Sequence, residues 1–151
     1  MINSNSQTQD QTKQLWATMA ELSAITGFDR SECLEALREA QDTQDFELNN
    51  WRFIHTAVID NTLEAELSND DYTLGCFNDG FLADVLNIDS DVIKAMQDAE
   101  AFEAVGKLII SLGKLEELAE QYVMADGYGH HFAVYDFNEY TLRDWHIFRV
   151  G

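Results

Sequence analysis

No proline interrupts this chain. Average usage of about 5% would place roughly seven in a chain of this length. A proline ring removes a backbone donor and clashes with the preceding turn, so its absence across 151 residues leaves helices free to run. Punctuation falls to glycine. Gly27, Gly113, Gly127 and Gly129 each stand where an apolar pattern of helical spacing stops, the position at which a left-handed residue commonly ends a helix.

Between these stops the periodicity predicts a mainly α chain (α+β): a bundle of about six helices with a small C-terminal antiparallel β-hairpin. Residues 1 to 10 are polar and weakly patterned, and read as a disordered tail. Leu15, Met19, Leu22 and Ile25 recur at helical spacing from Gln14 onward. "DRSE" then offers Asp29 as a cap, with Glu32 three residues on to reach back, opening a helix to about Gln41. A third helix is expected from near Asp45 to Leu67, with Phe46, Trp51, Phe53, Ile54 and Val58 on its apolar face. Leu74, Phe77, Phe81, Leu82, Val85 and Leu86 mark a fourth. Asp89 or Ser90 caps the next segment, whose stretch from Phe102 to Leu112 is apolar on nearly every side and belongs in a core. "KLEELAEQYVMA" makes the last helix. "HHFAVYDF" and "RDWHIFRV" alternate as two strands, joined through "NEYTL", in a hairpin over 130–150. One compact domain over 11–151 is the expectation at this length.

Residues 14–54, with "TGF" between the first two helices, "ALREA" late in the second and an aromatic-bearing third, resemble the ubiquitin-associated-like three-helix module, in particular that at the N-terminus of bacterial elongation factor Ts. The resemblance implies a protein-interaction adaptor: a small bundle whose loop, Thr26, Gly27 and Phe28, and third helix dock a protein partner. The basic and apolar specifics of the elongation-factor motif are absent, so it implies no nucleotide-exchange activity.

Charge is the second constraint. The net charge is -19, yet 46% of residues are hydrophobic, so the acidity is not the signature of a disordered chain. No Lys/Arg cluster exists and the overall field repels phosphate, which argues against direct nucleic-acid binding. No apolar run is long enough to cross a bilayer, and the first residues lack the basic and apolar regions of a signal peptide, so a cytoplasmic location is expected. Cys33 and Cys76 share no metal or redox spacing and read as reduced, structural residues.

The acid is unevenly spread: residues 55–126 hold 16 carboxylates against 3 lysines, a net of -13. Asp60 with Glu64, and Glu116 with Glu120, are like-charge pairs one helical turn apart, each costing about 0.2–0.5 kcal/mol. Double-stranded DNA carries one charge per about 1.7 Å of axis, so the groove of a DNA-binding protein is built to meet dense negative charge. Asp60, Glu64, Glu66, Asp70, Asp71, Asp79 and Asp84, extended by Glu116, Glu117 and Glu120, are the residues expected to line up as an imitation of it. In size, acidity and globular character the chain resembles the anti-restriction and anti-CRISPR proteins of phages and mobile elements. The partner expected is a basic, nucleic-acid-binding protein or complex.

"DGYGHHFAVYD", residues 126–136, is the stretch richest in chemistry-bearing side chains. A metal-dependent enzyme would use His130 or His131 with Asp126 or Asp136, and His55 or His146 could complete the set. Adjacent histidines on a strand point to opposite faces, however, and no H-x-x-x-H spacing is present, so the segment reads as a turn and no cofactor or metal is expected. No phosphate-cradling glycine loop or G-x-S-x-G motif occurs. Tyr140, Trp145 and Phe148 near an unpaired hairpin edge leave a homodimer open.

Overall fold

The structure is a computed structural model that describes residues 4–151. Among the described residues it contains nine helices and four strands. The chain divides into two compact units. Residues 1–58 and 132–151 form the first, and residues 59–131 are a continuous insertion that forms the second.

The first unit begins with α1 (Ser4–Thr26), a helix that absorbs most of the expected tail, since no glycine or proline lies between Ser4 and Gly27. Residues 1–3 of that tail lie outside the described residues. Gly27, at φ 76, ends α1 as expected. The Asp29 carboxylate accepts from the Glu32 N–H at 2.8 Å and Glu32 accepts from the Asp29 N–H at 3.1 Å, completing the capping box of α2 (Arg30–Asp42).

The third helix does not form where it was expected. Residues 45–55 are instead a hairpin of β1 (Asp45–Leu48) and β2 (Trp51–His55), so residues 14–54 hold two helices and two strands. The turn decides it. Asn49 and Asn50 take φ 48 and 70, the two left-handed positions that a two-residue hairpin loop demands and that asparagine tolerates. Across the strands Phe46 stacks on Phe53 at 4.7 Å between centroids, and the Arg52 guanidinium grips Asp45 with two bonds of 3.0 and 2.8 Å.

The C-terminal hairpin forms, but shorter and later than expected. "HHF" belongs to a helical turn, α9 (Gly129–Phe132), and the strands are β3 (Tyr140–Leu142) and β4 (Trp145–Arg149), joined by Arg143 and Asp144. β4 also pairs antiparallel with β2, giving one four-stranded sheet of order β1-β2-β4-β3. Phe46, Trp51, Phe53 and Ile147 pack with Met19, Leu22, Phe28, Cys33 and Ala36 of the α1–α2 region. On the other face Phe148 and Ile54 are fully buried, and Phe132 lies 5.2 Å from Phe148.

The second unit is entirely helical: α3 (Ile59–Ser68), α4 (Asp71–Gly75), α5 (Asp79–Leu86), α6 (Ser90–Asp98), α7 (Phe102–Ser111) and α8 (Leu115–Asp126). Two expected helices are each split. Asn78 caps α5 and interrupts the fourth, while Glu100, at φ 59, breaks the run into α6 and α7. Alanine and glutamate favour helix, so tertiary packing overrides propensity there. The packing concerned is a backbone-to-backbone crossing of α4 and α7. A Cβ on Gly75 would lie 1.8 Å from the Phe102 carbonyl oxygen, and one on Gly106 would lie 2.0 Å from that of Asp71. Leu63, Leu74, Leu82, Ile93, Ile109 and Leu118 fill the core.

Gly106→Ala should therefore lower unfolding stability by about 3 kcal/mol, because backbone atoms have to part to admit the methyl. Gly27→Ala, with open space around it, should lose only about 1 kcal/mol to its left-handed backbone. Urea denaturation of the two variants measures the difference.

Candidate functional site

All ten acidic residues singled out in the sequence lie in the second unit, but they do different things. Several stabilise helix ends. Asp70 caps α4, accepting from the Thr73 N–H at 3.0 Å and the Thr73 hydroxyl at 2.6 Å, and these two bonds hold its carboxyl below the usual range. Asp71, Asp79, Asp60, Glu116 and Glu117 sit in first turns, where a negative charge meets the positive end of the helix dipole. Glu117 is also paired with Lys114 at 3.0 Å. Glu66 lies 3.2 Å from His131 Nε2, and the Tyr128 hydroxyl donates to Asp60 at 2.6 Å. Asp84 lines a shallow polar cleft with Asn87, Asp89 and Ser90, at the turn between α5 and α6.

One group of carboxylates is drawn together on α3 and α8. Burial raises the Glu64 carboxyl above its ordinary value, and the fields of Glu116, Asp60 and Glu120 raise it further. Two residues of α3 and two of α8 thus share one negative patch, whose like charges repel. Asp79 and Asp84 belong to α5, outside the two helices that carry this patch. The unit has no arginine at all, and its bases are Lys94, Lys107 and Lys114.

Phe28 does not present itself to a partner. It is 4% exposed, and its ring lies 6.2 Å from that of Phe53 inside the core of the first unit. The apolar face of α1 pulls the residue after Gly27 inward, and the outward ring of the loop reading is lost. Gly27 and the buried Cys33 otherwise stand as expected, with burial foremost, then Asp29 and Glu32, pushing the Cys33 thiol up.

The histidines are distributed among separate contacts. Gly127, at φ 78, ends α8 and the chain turns into α9. His130 meets the Tyr122 ring edge-on at 5.7 Å, while His131 faces Glu66. Burial, and after it the charge of Asp126, pushes the Tyr122 hydroxyl up to about 12. Among the described residues no group of three or more His, Cys, Asp or Glu side chains is placed to hold a metal ion.

One further cluster joins residues far apart in the chain. His146 contacts Glu139 through Nδ1 and the Thr56 hydroxyl through Nε2, the latter at 3.2 Å. The order carboxylate, imidazole, hydroxyl is that of a nucleophilic triad. Its surroundings are not. The Thr56 hydroxyl and the Thr56 N–H both donate to the Asp144 carbonyl, at 2.9 and 2.8 Å, and the Ala57 N–H is given to His55 Nδ1. The neighbouring backbone donors that would hold a developing oxyanion are occupied, so the cluster works as a clamp tying the end of β2 to the β3–β4 turn. Its members lie 90 and 7 residues apart, a separation with no local pattern to betray it.

Comparison with protein-family models, with curated proteins and with solved structures found no match.

Glu64 carries a raised carboxyl, so the folded protein holds that proton more tightly than the unfolded chain does. Its ionisation therefore costs stability as pH rises from the ordinary glutamate range through the raised folded value, and the cost persists at neutral pH. Glu64→Gln should stabilise the protein at pH 7, by about 0.2–0.5 kcal/mol from the Asp60 pair alone. The gain should vanish in acid below that window. Thermal melts at a series of pH values measure it.

Proposed function

We propose that this chain is a non-enzymatic binding protein whose acidic helical unit occupies a basic, nucleic-acid-binding surface on a partner protein, in the manner of an anti-restriction or anti-CRISPR inhibitor. One observation carries the reading: 13 of the 19 net negative charges belong to residues 59–131, in a unit without arginine. Electrostatic self-repulsion opposes folding, and a surface shaped only for solubility intersperses both signs. The mutual repulsion of Asp60, Glu64, Glu116 and Glu120 is a cost of that kind, and a cationic partner would relieve it.

The reading makes affinity electrostatic. A partner groove that normally neutralises phosphates would bind this unit with a fast, salt-sensitive association, and DNA or guide RNA would compete for the same surface. The test presents the whole chain to purified restriction enzymes and guide-RNA effector complexes, with and without duplex DNA. Binding that duplex DNA displaces and that weakens steeply between low and high salt is the expected result. The combined variant Asp60→Asn, Glu64→Gln, Glu116→Gln and Glu120→Gln should lose at least ten-fold in affinity while folding as well as the parent. Binding that ignores both salt and nucleic acid would overturn the reading.

A further inference from the structure

A half-open cleft of about 160 Å³ lies in the first unit, between α1, α2 and the sheet. Leu22, Leu37, Phe46, Phe53, Trp145 and Ile147 make its walls. The nearest hydroxyl, that of Thr18, is already donated to the Gln14 carbonyl at 2.8 Å. A space of this size with apolar walls matches a single aromatic ring; engineered cavities of about 150 Å³ lined by Leu, Ile and Phe take up benzene. Phe46 and Trp145, 5.6 Å apart and edge to face, give such a ring aromatic neighbours.

The rim adds a charge. Arg143 lines the cleft and is exposed, and it makes no hydrogen bond, ion pair or ring contact among the described residues. Its backbone is held at φ 55, in a two-residue hairpin turn where glycine or asparagine would sit without strain. A long β-carbon-bearing side chain at a left-handed position costs about 1–2 kcal/mol, so the turn alone gives no reason for an arginine there. Guanidinium is the group that binds carboxylate with paired, parallel hydrogen bonds. Glu21 lines the adjoining shallower cleft with Arg143 but forms no ion pair with it.

We propose that this cleft binds a small aromatic carboxylate, with the ring packed against the wall that Phe46, Phe53 and Trp145 form and the carboxylate on Arg143. The site belongs to the first unit and is independent of the acidic surface of the second. Phenylacetate is the probe, with benzyl alcohol as the neutral comparison, followed by the indole N–H resonance of Trp145 in the full chain. Phenylacetate should shift that resonance saturably and benzyl alcohol should bind more weakly. Arg143→Gly relieves the left-handed strain and should fold at least as well, yet weaken phenylacetate at least ten-fold while leaving benzyl alcohol unchanged; Arg143→Lys should recover part of the loss. Ala40→Leu, which fills the cleft from α2, should weaken both. No saturable shift with phenylacetate overturns the site, and so does Ala40→Leu binding as the parent does. Equal weakening of both probes, or of neither, by Arg143→Gly overturns the role of the carboxylate.

Discussion

The pairing of β2 with β4 sets Trp51–His55 beside Trp145–Arg149 and joins the two hairpins of the first unit into one sheet. Thr56 and His146, which meet at the end of this pairing, are 90 residues apart in the chain. Closing a flexible loop of that length costs on the order of 4 kcal/mol beyond a constant, and the return must be achieved before the central strands can bury anything. Folding residues 59–131 into their own unit shortens the effective loop. The helical insertion therefore has a thermodynamic role in completing the sheet. The clamp of Thr56 on Asp144, supported by His146 and Glu139, secures the junction where the returning chain arrives.

The division of labour between units follows their charge. The first holds all five arginines and uses three of them locally: Arg52 grips Asp45, Arg149 lies 3.8 Å over the Tyr135 ring and Arg30 lies 4.8 Å over Trp16. The second holds three lysines and satisfies many of its carboxylates with helix N-termini instead. A backbone dipole can be supplied at every helix start without adding a positive side chain, so a unit built of six short helices can carry heavy negative charge and still cohere.

Much of this was legible along the chain, wherever one residue decides a local event. Gly27, Gly113 and Gly127 end helices, and Asp29 and Asp89 begin them, through chemistry confined to one turn. The β1–β2 hairpin was misread because Phe46, Trp51, Phe53 and Ile54 satisfy a loose helical spacing as well as the two-residue period; Asn49-Asn50 was the available signal. The strand expected at "HHFAVYDF" failed for a related reason. Its alternation is real, but Val134, Tyr135 and Phe137 are left exposed rather than facing a core. The α3–α8 patch was half legible: the pairs Asp60/Glu64 and Glu116/Glu120 follow from spacing, whereas their meeting depends on packing. The inward Phe28, the Thr56 clamp and the apolar cleft are products of long-range pairing, and no local pattern encodes them.

The crossing of α4 over α7 has a bearing on how the acidic unit can vary. At Gly75 and Gly106 the two helices meet through carbonyl and Cα atoms, with no side chain at either position to act as a cushion. Their separation is set by the main chain itself, so it stays the same whatever residues are traded on the outer faces. A frame of that sort tolerates wholesale replacement of its solvent-facing groups, and the two bare positions that make it are the ones sequence drift is least free to touch.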